Sequence, residues 1–176
     1  MFCKTTKVIY NIFMSDKFKI SYRKANKNDL PLIQILNDKL FDYEVKENLY
    51  NPEDYIENWS FLGSTKDYFC SLIKDQFVYV AETANVVVGY IIGTIYPEDS
   101  LSNLKGKTAE IDNMFVEENY RNSGIGTKLQ SLFIDWCKQN KVKRIIVTSE
   151  ITNKKAIDFY KKRGFNDKSI VLLKKL

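Results

Sequence analysis

Polar and apolar residues alternate from Lys19 to Lys24, with Ile20 and Tyr22 on one side, the two-residue period of a strand with one buried face. Asn26, Lys27, Asn28 and Asp29 then supply capping side chains, and Pro31 suits a first helical turn. Leu32, Ile33, Leu36, Leu40 and Tyr43 recur at helical spacing, so a helix follows the strand, and a second helix is expected over Lys66 to Lys74. Phe77 to Glu82 and Val86 to Tyr96 are β-branched and aromatic runs on either side of Thr83-Ala84-Asn85. They predict a hairpin, although its turn lacks the favoured Asn-Gly pair. Thr108 to Val116 is a further strand. Ile125, Leu129, Leu132, Phe133 and Trp136 then form one helical stripe, and Arg144 to Thr148 is a short buried strand. Asn153 caps a last helix with Ala156, Ile157 and Tyr160 on one face, Gly164 ends it, and Ser169 to Leu173 is expected as a closing strand.

This order predicts a layered α/β domain: a mixed, mostly antiparallel twisted sheet, antiparallel in its first half with a crossover in its second, flanked by helices. The 176 residues suit one domain, taken as 15–176, and residues 1–14 are expected to be a poorly ordered extension, with Met14 a candidate working start. Histidine is absent, which removes Ser-His and Cys-His nucleophile pairs and histidine metal sites. Any acid or base must come from a carboxylate, tyrosine, lysine, cysteine or water. Cys3, Cys70 and Cys137 form no C-x-x-C pair, so no metal and no disulfide framework is expected. The longest apolar run, Val86 to Pro97, is broken by Gly89, Gly93 and Thr94 and is too short for a membrane helix. A cytoplasmic protein is the simplest expectation. Charge is uneven: Lys138 to Leu176 holds twelve basic residues against three acids, whereas Asp29 to Glu57 holds eight acids and only Lys39 and Lys46. A polyanion would favour the first segment and a cation the second.

The candidate chemistry lies in Arg121-Asn122-Ser123-Gly124-Ile125-Gly126-Thr127, between a strand end and a helix start, where unpaired amides and the helix dipole favour an anion. Gly124 and Gly126 let a ligand approach the backbone, and Arg121 adds a cation. The P-loop spacing fails around Lys128, and the dinucleotide fingerprint fails because Leu129 stands at its third glycine.

With this loop in AEIDNMFVEENYRNSGIGTKL, followed by RIIVTSE and NKKAIDFYKKRGF, and with Val88-Gly89-Tyr90 upstream, the chain resembles the GNAT superfamily of acetyl-CoA-dependent N-acetyltransferases over most of its length. The Ala84-Asn85 turn and the residues before Ser15 depart from the family pattern. The resemblance implies that amides in Asn122 to Thr127 hold the coenzyme pyrophosphate and that Met114, Phe115 and Val116 pair with the pantetheine arm. It also implies that the thioester enters between two splayed strands, and that Asn153 and Tyr160 contact the coenzyme. Asn153 is equally an ordinary helix cap, and Tyr160 a half-buried core aromatic.

The implied reaction is acetyl transfer to a primary amine, either a cationic small molecule or a lysine or N-terminal amine, by direct attack. An alkyl amine with a pKa of about 10.4 is mostly protonated at neutral pH, so a proton must leave before attack. Glu110 and Asp112 lie two apart on one strand, hence on one face. The interval of eleven residues from Glu110 to Arg121 resembles lysine-acetylating members and favours Glu110 as the base, with Tyr160 protonating the thiolate. Both acids also fit as surface residues at a strand end. Acetyl-CoA and an amine are the expected partners, no nucleic acid or membrane is expected, and a homodimer stays open. The alternatives are a non-catalytic acyl-CoA-binding regulatory module on the same scaffold and, for the basic C-terminal part, a nucleic-acid binder without a recognised reading motif.

Overall fold

Asn26 and Asp29, expected as capping side chains, build a reciprocal cap around the turn Lys27–Asp29 that leads into the first helix. Asn26 Oδ1 accepts from the Asn28 amide at 2.9 Å, and Asp29 Oδ2 accepts from the Asn26 amide at 2.7 Å. Arg23 locks this corner to the sheet, donating to both Asp29 oxygens at 2.7 and 2.8 Å and to Glu82 at 2.9 Å. The computed structural model describes residues 19–47, 53, 59–98 and 105–174. The expected extension over 1–14 lies outside them, as do Asp54 and Glu57 of the acidic segment.

Among the described residues five strands, β1 (Ser21–Lys24), β2 (Phe77–Thr83), β3 (Val86–Tyr96), β4 (Thr108–Val116) and β5 (Arg144–Val147), form one sheet in chain order. The first three pairings are antiparallel and β4–β5 is parallel, the expected crossover. The β2–β3 turn works without Asn-Gly because Ala84 and Asn85 both adopt positive φ, 47° and 63°, which a tight hairpin with right-handed twist requires.

The strands are apolar on both faces, so helices cover both. On one side α1 (Leu30–Lys46) and α2 (Gly63–Asp75) press Ile33, Leu36, Phe69 and Leu72 onto Val78, Val80 and Ile92. On the other α3 (Ile125–Gln139) and α4 (Lys154–Lys161) cover Phe77, Ala81, Ile91, Ala109 and Ile111 with Ile125, Leu129, Phe133 and Tyr160. A buried polar chain fixes α1 over the sheet: Tyr90 Oη donates to Asn37 Oδ1 at 2.8 Å, and Asn37 Nδ2 donates to Ser60 Oγ at 2.7 Å.

The expected closing strand at Ser169 to Leu173 does not form. Ile170, Val171, Leu172 and Leu173 are 76–91% exposed and pair with no described strand. An apolar β-branched run becomes a strand only when an edge receives it, and propensity alone cannot supply the edge.

Candidate active site

Pairing between β4 and β5 stops at Ile111 opposite Val147, so Asp112 to Val116 keep a backbone edge with no described strand on the β5 side. The opening is the mouth of a cavity of about 950 Å3. Asp112 to Val116 line one wall, Val147, Thr148 and Ser149 the other, and the start of α3 closes one end. That helix begins at Gly124, in the left-handed region with φ 87°, and no side chain caps its first amides. By contrast α4 is capped, Asn153 Oδ1 accepting from the Ala156 amide at 3.1 Å. One uncapped helix N-terminus therefore meets one open strand edge, an arrangement for an anion followed by an extended arm that can hydrogen-bond along β4.

Around this opening the titratable groups are unusual. Burial lifts the Asp112 carboxyl to about 6, with the Thr94 hydroxyl, donating at 2.7 Å, working against the rise and the Glu110 charge adding to it. Burial also raises Tyr160 well above the ordinary tyrosine range, so its hydroxyl stays protonated. On α1, Glu44 faces the cavity beside Leu40 and Tyr43, and burial together with the repulsion of Glu150 lifts it to about 7. Arg121 Nε donates to the Val116 carbonyl at 3.0 Å while its guanidinium lies 4.7 Å from the Tyr43 ring centre and 5.3 Å from that of Phe115.

The profile of the acetyltransferase (GNAT) family matches residues 34–165. The chain belongs to that family. It is 33% identical over 107 residues to the uncharacterized N-acetyltransferase MJ1207 of Methanocaldococcus jannaschii, a match covering 59% of this chain and 46% of that protein, so the chain spans under half of that relative's length. It is 26% identical over 149 residues to the thialysine N-epsilon-acetyltransferase of Bos taurus, covering 84% and 85%. The BH1408 protein of Bacillus halodurans has the same fold, with a TM-score of 0.76 at 21% identity over 89% of this chain and 99% of that one.

Members of the GNAT family use acetyl-CoA as the acetyl donor. Of the residues expected to hold it, Met114, Phe115, Val116, Arg121, Asn122, Gly124, Ile125, Gly126, Thr127 and Asn153 line the cavity. Phe115 is only 6% exposed and packs into the α1 side of the core, which leaves its backbone to face the opening. Ser123 stands back, its hydroxyl donating to the Tyr120 carbonyl at 2.5 Å. Asn153 does both jobs, capping α4 and lining the cavity. Asp112 and Tyr160 are brought into the cavity, whereas Glu110 is not in its lining and points toward Thr148 and Tyr96. Sequence reasoning missed Glu44, Lys155 and Arg163 as cavity residues. Glu44 was one acid among many on an amphipathic helix, and only the packing of α1 over β4 singles it out.

Proposed function

We propose that this acetyltransferase moves the acetyl group of acetyl-CoA to a cationic primary amine by direct attack. The observation that carries the reading is the single cavity holding the uncapped start of α3, the open edge of β4, and Asp112 and Tyr160 together. In this arrangement the first amides of α3 receive the pyrophosphate and the β4 edge receives the pantetheine arm. Asp112 accepts the proton of the incoming ammonium, and its pKa of about 6 keeps most of it ionised at neutral pH while leaving it basic enough to act. As the C–N bond forms and the C–S bond breaks, Tyr160, kept protonated by its raised pKa, donates its proton to the departing sulfur, and the second proton that the nitrogen sheds returns to the Tyr160 oxygen, leaving the amide, the CoA thiol and one proton on Asp112. Asp112 replaces Glu110 as the favoured base because it lines the cavity.

A cationic acceptor is supported by Glu44 and Asp112 in the same cavity and by the acid-rich α1 segment. The relative named for acetylating the ε-nitrogen of thialysine points to the same kind of amine. Two carboxyls facing the acceptor side, with a proton donor beside the coenzyme side, favour turnover over mere acyl-CoA binding. The test is acetyl-CoA binding by calorimetry, followed by CoA release against polyamines, aminoglycosides, amino acids and lysine peptides. Binding with turnover of cationic amines is expected. No binding at millimolar acetyl-CoA ends the reading, and binding without turnover of any amine leaves the regulatory module.

A further inference from the structure

Among the described residues three cations line the cavity, and each is already engaged. Arg121 is held by the Val116 carbonyl and two rings, Lys155 pairs with Glu47 at 3.3 Å, and Arg163 donates to the Phe159 carbonyl at 2.7 Å and to the Thr127 hydroxyl. Glu44 takes none of them. Among the described residues it accepts no hydrogen bond and forms no ion pair, and the charge it feels from Glu150 repels it. The Tyr90 hydroxyl, on the strand beneath, already donates to Asn37.

We propose that Glu44 selects acceptors with a second positive charge, by pairing with the ammonium that does not react. The assignment rests on the acetyltransferase reading above and names a residue for its specificity. A half-buried carboxylate without a counter-charge is costly, and a cation arriving beside it recovers that cost. The coenzyme cannot be that partner, because it is a polyanion and its phosphates belong with the α3 end and its cations. Since no described residue supplies the cation, the acceptor is assigned to bring it. Asp112 on β4 takes the reacting nitrogen, and Glu44 faces the same cavity from α1. Two carboxyls on two different elements suit a molecule with two cationic groups, whereas an amine with an apolar tail would leave Glu44 desolvated and unpaired. Glu44 thus acts as a specificity residue and touches no reacting atom.

The experiment compares linear diamines with monoamines of equal length, in wild type, Glu44→Gln and Glu44→Asp, following CoA release at saturating acetyl-CoA. Wild type should favour diamines, and Glu44→Gln should cut that kcat/KM ratio about tenfold or more, through KM rather than kcat, as expected when a desolvated charge pair loses one member. Glu44→Asp should restore part of the ratio. Acetyl-CoA affinity, measured alongside, reports whether the variant still folds. A wild-type ratio near one overturns the assignment, as does a Glu44→Gln ratio equal to that of wild type with both substrates slowed alike. If wild type acetylates no amine, the acetyltransferase reading itself falls and the assignment falls with it.

Discussion

Asp112 and Glu110 stand at alternate positions of β4 and feel each other's charge, yet their surroundings separate them. Asp112 is desolvated, bonded by Thr94 and open to the cavity, while Glu110 lies within 3.5 Å of the Thr148 hydroxyl outside the lining. A base must reach the proton it removes, so under the proposed function position favours Asp112 before pKa is considered. Asp112→Asn is expected to lower kcat/KM by about 10²–10⁴ near neutral pH. The loss should shrink as pH approaches the pKa of the amine, where free amine forms without help. Wild-type kcat/KM should fall on acidification through about pH 6 as Asp112 is protonated, and this limb should vanish in Asp112→Asn. Profiles from pH 5 to 10 for Asp112→Asn and Glu110→Gln decide the matter. Alkaline rescue confined to Glu110→Gln would return the role to Glu110.

At the scale of elements, the sequence showed nearly all of the architecture because each helix and strand carries its own period, cap or turn residue. The capping side chains at Asn26 and Asp29, the stripe of α3 and the loop at Gly124 are local signals, and all three appear where the pattern placed them. What stayed hidden depends on partners distant in sequence. Ser169 to Leu173 has the composition of a strand but no edge to join. Glu44 acquires meaning only once α1 lies over β4. Gly93 is a third case, a glycine that looked like a mere interruption in an apolar run. A β-carbon there would sit 2.8 Å from Phe133 Cδ2 and 2.7 Å from Cζ, so the missing side chain is what lets the α3 ring rest on β3, next to the bulge at Ile92/Gly93. Because Phe133 is fully buried, its ring has nowhere to retreat. Gly93→Ala should destabilise the fold by about 1–3 kcal/mol, the usual cost of overpacking. Phe133→Leu in the same chain should recover part of that loss, a coupling measurable by denaturant titration. Strictly additive losses would show that the ring is not the obstacle.

Across the whole molecule, charges of opposite sign from several elements meet at one cavity. Arg121, Lys155 and Arg163 belong with the coenzyme loop and α4, and Glu44 and Asp112 belong with α1 and the middle of β4. Keeping the two carboxyls desolvated carries a cost in stability whose sign follows from their shifts. Both have folded pKa values above the ordinary carboxylate range, about 7 for Glu44 and about 6 for Asp112, so the folded protein holds protons that the unfolded chain has already released. Stability from these groups is therefore greatest below about pH 4, falls as pH rises through the window up to about 7, and levels off above it. Asp29 acts in the opposite sense. Arg23 holds its pKa below the usual value, so its contribution is present at neutral pH and lost only in acid. The two effects are separable because Glu44→Gln and Asp112→Asn leave the Arg23–Asp29 pair intact. Melting temperatures from pH 4 to 8 should show the double variant, Glu44→Gln with Asp112→Asn, matching wild type near pH 4. The variant should become progressively more stable than wild type up to about pH 7, the two curves running parallel beyond. A coincident pair of curves across the range would mean that neither carboxyl is desolvated in the folded protein. In that case the cationic acceptor would lose its strongest physical support, because no unpaired charge would be waiting for it.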